Sequence, residues 1–142
     1  MTDAGLVHKK LARIETSVRE LRTLARPDLI ATDVRERRFV EHTLQIALQA
    51  CQDVASHIVS DDRLGEPRTN QELLDLLVSA RRLDPALGAR LRRAIGFRNI
   101  LVHGYDVVDV EVVRDVLAHG LDDLDQFVVA IRKALPPGIV EP

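Results

Sequence analysis

The chain has 142 residues, 46% of them hydrophobic and 30% charged, which suits one folded domain rather than two domains or a disordered chain. Its single cysteine excludes an intrachain disulfide framework, and its formal net charge of −2 neither indicates nor excludes nucleic-acid binding. No apolar run approaches the roughly 20 residues of a membrane span, and the N-terminal residues lack a signal-peptide pattern. We therefore expect a cytoplasmic protein without membrane association.

Hydrophobic residues recur at helical spacing through the first half of the chain. In the first segment they step by four and three residues, which predicts one face of a helix that Pro27 ends. Asp33 is a suitable N-cap for a second, long helix that reaches about Val59. The first seam is Val7, Leu11, Ile14, Val18, Leu21 and Ala25; the second includes Val40, Leu44, Ala47, Cys51, Val54 and Ile58.

Capping signals mark two further helices after a loop. Thr69 followed by Glu72 predicts a capping box, in which the hydroxyl accepts a backbone N–H and the carboxylate reaches back. Asp84 followed by Pro85 predicts the start of a fourth helix, which runs towards His103.

The last predicted helix begins at Asp109 and is stopped by the prolines at 136 and 137. Gly104 is a suitable left-handed stop for the helix before it. We expect one domain over residues 1–135 and a flexible C-terminal tail over residues 136–142. The predicted seam is Val113, Leu117, Gly120, Leu124, Val128, Ile131 and Leu135.

These patterns predict an all-α protein, an antiparallel bundle of four to five helices joined by short connections. Two long apolar seams in so small a protein are also enough to supply a homodimer face. Core packing alone explains both seams equally well.

Sequence motifs of phosphate loops and compact metal sites are absent, since neither a glycine-rich phosphate loop nor a histidine or cysteine ligand pair occurs. Cys51 falls on the apolar side of the second helix, which indicates a small core residue. His57 lies on the same helix, where a packed or hydrogen-bonded role is favoured over catalysis. Between residues 81 and 98, six arginines accompany one aspartate, which fits either a solvated helix face or a phosphate-binding strip.

The segment from Phe97 to Tyr105 contains arginine, asparagine, histidine and tyrosine, side chains that commonly take part in catalysis. Asn99 and His103 are four residues apart and share a helix face, whereas Arg98 and His103 are five apart and point about 140° away from each other. For both to reach one phosphate, either the helix opens at Gly104 or two copies of the segment meet across a dimer axis.

An Arg–His pair suits the cleavage of RNA. Histidine exchanges a proton near neutral pH, and arginine holds phosphate with a fork of donors. RNA supplies its own nucleophile, the 2′-hydroxyl, so the chemistry requires neither a metal ion nor another cofactor. A purely structural role, with Arg98 and His103 capping a helix end beside Tyr105, fits the local composition as well.

The sequence Arg98-Asn99-Ile100-Leu101-Val102-His103-Gly104-Tyr105 resembles the R-x4-H-x-Y signature of HepT toxins, within the HEPN superfamily. The resemblance extends over roughly residues 33–135, including the second helix around His57. It implies a helical-bundle homodimer whose two Arg–His motifs line one cleft and cleave RNA without metal.

The resemblance also implies roles for single residues and a partner. Arg98 and His103 would be catalytic, Asn99 would orient or contact the substrate, and Tyr105 would accept AMP. The partner would be a nucleotidyltransferase antitoxin of the MntA kind, which neutralises such toxins by transferring AMP to the motif tyrosine. A bulky anionic group there would block phosphate entry and compete for Arg98.

Two other functional classes remain open at this stage. The chain is alternatively a non-catalytic HEPN-like module that binds a nucleotide or a nucleotidyltransferase, although such modules usually lack the Arg–His pair. A structural helical adaptor is a third class, which leaves the grouping of Arg, Asn, His and Tyr unexplained.

Overall fold

The computed structural model describes residues 3–103 and 108–135, and every regular element within these ranges is helical. A 3-10 turn (Pro27–Leu29) joins the first two helices, and a π-helical segment (Val116–Gly120) joins the last two. The helices are α1 (Ala4–Leu24), α2 (Val34–Asp61), α3 (Glu72–Ser79), α4 (Pro85–His103), α5 (Val110–Asp115) and α6 (Leu121–Ala134).

The core lies where α1, α2, α4 and α6 pack on one another, and α3 covers one end of α2 and α4. All six named seam residues of α2 are buried, as are the first five of the α1 seam, while Ala25 packs against the core at its edge. The predicted all-α bundle is confirmed. None of the helices within the described ranges is long and apolar enough to cross a membrane.

Aspartate side chains begin three helices at the predicted places. Asp33 Oδ1 accepts hydrogen bonds from the backbone N–H groups of Arg35 at 2.8 Å and Glu36 at 3.4 Å. Asp84 and Asp109 accept first-turn N–H groups of α4 and α5 in the same way. Each cap satisfies backbone donors that have no partner inside the helix.

Pro27 stops α1 as predicted, and the capping box before α3 forms in part. Helix α1 ends at Leu24, because a proline disfavours helical geometry in the residue before it and Arg26 is correspondingly non-helical. In the predicted capping box, Thr69 Oγ1 accepts from Glu72 N at 3.2 Å as expected. The Glu72 carboxylate, however, accepts from Arg68 N at 2.7 Å, one residue further back than predicted.

The predicted fifth helix is realised as α5, the π-helical segment and α6 in succession. The wider π turn shifts the register by about one residue. Gly120, predicted in the seam, is therefore only partly buried, and Leu121 is buried in its place. Beyond this point the predicted residues Leu124, Val128 and Ile131 return to the core.

Candidate functional site

Arg98 lies near the C-terminal end of α4, on the side that packs against α2. Ile95, one turn earlier, is fully buried, and this anchors the helix so that Arg98 emerges partly buried at the α2–α4 contact. The guanidinium group donates from Nη1 to Asn99 Oδ1 at 3.1 Å and from Nη2 to Gln49 Oε1 on α2. The structure therefore brings Arg98 and Asn99 together and adds Gln49 to them.

Gln49 is itself held in place by a hydrogen-bond chain that crosses the bundle. Its Nε2 donates to Asp53 Oδ1 at 2.7 Å, one turn further along α2. Lys10 on α1 donates from Nζ to the second carboxylate oxygen of Asp53 at 3.1 Å. The chain Lys10–Asp53–Gln49–Arg98 thus links α1, α2 and α4. We refer to these four residues as the polar relay.

The other predicted site residues lie at the edge of what the structure describes. The backbone is helical as far as His103, so positions 98 and 103 stay about 140° apart around α4. The His103 side chain and the whole of Gly104 and Tyr105 lie outside the described residues. The roles expected for His103 and Tyr105 therefore remain predictions.

Three arginines of the basic strip between residues 81 and 98 form ion pairs with acids. Arg82 donates to Asp62 at 2.9 Å, and Arg90 donates to Asp123 at 2.8 Å. Arg92 is paired with the Asp75 carboxylate of α3. These pairs commit three of the six arginines to acids on neighbouring elements, which counts against a continuous phosphate-binding strip. Arg81 and Arg93 are exposed, as expected of a solvated helix face.

Two reactive types of side chain, a cysteine and a histidine, lie in α2 in surroundings that indicate a structural role. Cys51 is completely buried in the core, and burial raises the pKa of its thiol far above the usual range, so it is an inert core residue as predicted. His57 Nε2 lies 3.1 Å from Asp61 Oδ2, one turn along α2. Across residues 3–103 and 108–135, no group of three or more His, Cys, Asp or Glu is placed to hold a metal ion.

Two surface cavities meet along α2 beside the polar relay, and Gln45 lines both of them. One, of about 520 Å³, opens between Arg38, His42 and Leu101 of α4. The other, of about 160 Å³, lies between α1 and α2, where Gln49 and Asp53 are among the residues that line it. The two cavities adjoin at Gln45, and the smaller one is lined by Gln49, the α2 residue that contacts Arg98.

Comparison with known proteins decides the family. The sequence matches the family described as Ribonuclease HepT-like over residues 13–131, which is most of the chain. The chain belongs to the HepT-like ribonuclease family.

Named HepT relatives cover about two thirds of the chain. It is 34% identical to the mRNA nuclease HepT of Shewanella oneidensis over 89 residues, which are 63% of this chain and 67% of that protein. It is 31% identical to the tRNA nuclease HepT of Aphanizomenon flos-aquae over 100 residues, 70% of this chain and 68% of that one.

A solved structure extends the similarity over nearly the whole HepT-like chain. The tri-AMPylated HEPN toxin of Shewanella oneidensis, in complex with the MNT antitoxin, is 28% identical and superposes with a TM-score of 0.83. The match covers 94% of this chain and 99% of that toxin. The HEPN resemblance drawn from the motif is therefore confirmed at the level of family and fold.

Sequence reasoning missed Gln49, Asp53 and Lys10. The available signal was the spacing of four between Gln49 and Asp53, which places an amide and a carboxylate on one face of α2. That spacing does not reveal that Arg98 lies opposite, because the contact joins two helices that are distant in sequence.

Proposed function

We propose that this HepT-like chain is the toxin of a toxin–antitoxin pair and acts as a metal-independent endoribonuclease. The observation that carries the proposal is the placement of Arg98. Gln49 and Asn99 hold its guanidinium group at the α2–α4 contact, and it has no carboxylate partner among the described residues. An arginine held in this way keeps its positive charge for a phosphate group. Two relatives named as RNA nucleases support RNA as the substrate class.

The proposed reaction is an internal transesterification of RNA. His103 removes the proton of the 2′-hydroxyl, and the 2′-oxygen forms a bond to the adjacent phosphorus. The bond from phosphorus to the 5′-oxygen breaks, and a protonated histidine supplies the proton that this leaving oxygen needs. Arg98 stabilises the negative charge that builds up on the phosphate oxygens.

A homodimer supplies what one motif lacks. One helix holds positions 98 and 103 about 140° apart, and one histidine cannot act as base and acid at the same moment. Two motifs that face each other across a two-fold axis provide an arginine and a histidine on either side of the scissile bond. Light scattering at micromolar concentration tests this arrangement, and a monomeric mass would contradict the shared cleft.

We further propose regulation by a nucleotidyltransferase antitoxin of the MntA kind, which transfers AMP to Tyr105. The structurally similar HEPN toxin of Shewanella oneidensis is described as tri-AMPylated and bound to an MNT antitoxin, which supports the assignment. Tyr105 belongs to the same motif as Arg98, and by that resemblance AMP on its hydroxyl would bring a phosphate to the Arg–His site. The modified chain would then exclude RNA by charge and by bulk.

Controlled expression in a bacterial host tests the toxin function. We expect induction of the parent chain to stop growth and to fragment cellular RNA, and Arg98→Ala to abolish both effects. Arg92→Ala is the matched control, because it removes an arginine of the same helix that is paired with Asp75. Unimpaired growth and intact RNA on induction of soluble parent protein would instead favour the non-catalytic HEPN-like module.

A further inference from the structure

Arg98 differs from the other paired arginines of the molecule in the chemistry of its partners. Its guanidinium donates to two amide oxygens, those of Asn99 and Gln49. Every other arginine whose side chain donates to a side chain within the described ranges donates to a carboxylate. These arginines are Arg22, Arg82, Arg90, Arg92, Arg114 and Arg132.

This difference matters because amides and carboxylates act differently on a guanidinium group. Both accept hydrogen bonds and so restrict its rotation. A carboxylate also neutralises its charge, whereas an amide leaves the full positive charge available to a phosphate. Among the described contacts, Arg98 is therefore oriented without being neutralised.

The amide of Gln49 has only one useful orientation, and Asp53 selects it. An ionised carboxylate can only accept hydrogen bonds, so the Gln49 Nε2 must face Asp53 and Oε1 must face Arg98. The opposite orientation would place an NH2 group against a guanidinium group and an oxygen against a carboxylate. Asp53 thus determines that Gln49 presents an acceptor to Arg98.

Lys10 completes the arrangement from α1. Its ammonium group lies 3.1 Å from Asp53 Oδ2, and the two side chains are only 27% and 36% exposed. The negative charge of the relay is thereby balanced by Lys10, at the end of the relay away from Arg98. The relay keeps its single carboxylate on the lysine side and its neutral amide on the arginine side.

We propose that Gln49 is a positioning residue for RNA cleavage, which fixes the Arg98 guanidinium while sparing its charge, and that Asp53 and Lys10 set the Gln49 amide for this task. The proposal rests on the proposed function, in which Arg98 binds the reacting phosphate. The site would then include positioning residues on α2 and α1 in addition to the motif on α4.

A charge swap within the relay provides the sharpest test. The double variant Gln49→Glu/Asp53→Asn keeps the net charge and the side-chain sizes, and every hydrogen bond of the relay can form again. The new amide at position 53 accepts from Lys10 through its oxygen and donates through its nitrogen to the new carboxylate at position 49. The only substantial change is that the negative charge moves from beside Lys10 to beside Arg98.

We expect the swap to fold like the parent, with an unchanged melting temperature, and to lose about tenfold to hundredfold in kcat/KM on total cellular RNA. Binding of a mixed-sequence 2′-O-methyl oligonucleotide, which lacks the nucleophile, should weaken and become less dependent on salt. Glu15→Gln, which removes the carboxylate of the separate Arg132 pair, is the control and should change neither kcat/KM nor oligonucleotide binding.

The possible results separate the two proposals. If the parent itself fails to cleave RNA, the proposed function is wrong. If the parent cleaves RNA and the folded swap variant cleaves and binds equally well, the positioning role of Gln49 is wrong.

A second variant keeps the test decisive if the swap does not fold. Gln49→Met removes the acceptor but retains the charge of Arg98, so kcat should fall while oligonucleotide binding and its salt dependence change little. The Nη resonances of Arg98 should be separate in the parent, where hydrogen bonds restrict rotation, and should merge in this variant. Merged resonances in the parent, or an unchanged kcat in Gln49→Met, would overturn the proposal.

Discussion

Arg98 Nη2 donates a hydrogen bond to Gln49 Oε1, which joins the C-terminal part of α4 to the middle of α2 across 49 positions of sequence. The same guanidinium group contacts Asn99 through Nη1 at 3.1 Å. Two nitrogens in a fixed plane are thus used for anchoring, and the charge of the group is not cancelled by either contact. The arrangement requires the fork of an arginine rather than a positive charge alone.

Replacement of Arg98 by lysine tests that requirement. Lysine keeps the charge but presents a single ammonium group, which cannot contact Gln49 and Asn99 in the same planar geometry. We expect Arg98→Lys to lose about a hundredfold in kcat/KM on RNA, nearly as much as Arg98→Ala, with an unchanged melting temperature. Near-parent cleavage by Arg98→Lys would show that charge alone suffices.

The cap of α2 is open to a direct measurement of stability. Asp33 Oδ1 accepts two backbone N–H groups at the start of the helix that carries Gln49. Asp33→Ala should lower the free energy of unfolding by about 1 kcal/mol, as measured by denaturant titration. Asp28→Ala, in the exposed 3-10 turn before the helix, is the control. Equal effects of the two substitutions would contradict the capping role.

The ion pair between Glu15 and Arg132 predicts a pH-dependent contribution to stability. Hydrogen bonds from the Arg132 guanidinium hold the pKa of Glu15 below its usual value. A carboxyl group whose pKa is lowered by folding stabilises the protein above its unfolded pKa, and this contribution disappears as the pH falls through the folded pKa.

Glu15→Gln should therefore be less stable than the parent at neutral pH and equally stable in acid below the folded pKa of Glu15. We expect a difference of about 0.5 kcal/mol or less at neutral pH, because the side chains are 37% and 41% exposed. Unfolding titrations at both pH values measure it, with Glu20→Gln as the control. A difference that grows towards acid would have the wrong sign.

Intact-mass analysis tests the proposed modification of Tyr105. Incubation with ATP and the cognate MntA-type nucleotidyltransferase should add the mass of at least one AMP group to the parent chain and stop RNA cleavage. Tyr105→Phe should gain no such mass and should keep its nuclease activity in the same mixture. A mass gain that survives this substitution would place the modification elsewhere.

Local signals were enough to predict most of the helical architecture. The three aspartate caps, Asp33, Asp84 and Asp109, accept hydrogen bonds from backbone N–H groups two or three residues away. Such caps can therefore be predicted from a few consecutive residues. The seam from Val7 to Leu21 follows in the same way from helical periodicity. The π-helical segment before Leu121 was not predicted, because a single wide turn leaves no periodic trace of its own.

The candidate site was only partly predictable for a similar reason. Arg98 and Asn99 were predicted from a short motif, and the structure places their side chains in contact. Gln49 and Lys10 reach the candidate site through packing of α1 on α2 and of α2 on α4, which no local pattern encodes. The pairing of Arg90 with Asp123 is equally non-local, since a run of arginines in sequence does not show which of them are paired with acids.

Cleavage of RNA by the purified chain in the presence of a metal chelator tests the central claim most directly. Parent protein, Arg98→Ala and His103→Ala would be incubated with total cellular RNA, with the folding of each confirmed by circular dichroism. We predict that the parent fragments the RNA and that both folded variants leave it intact. Cleavage by both variants at the parent rate would contradict the assignment of the chemistry to Arg98 and His103.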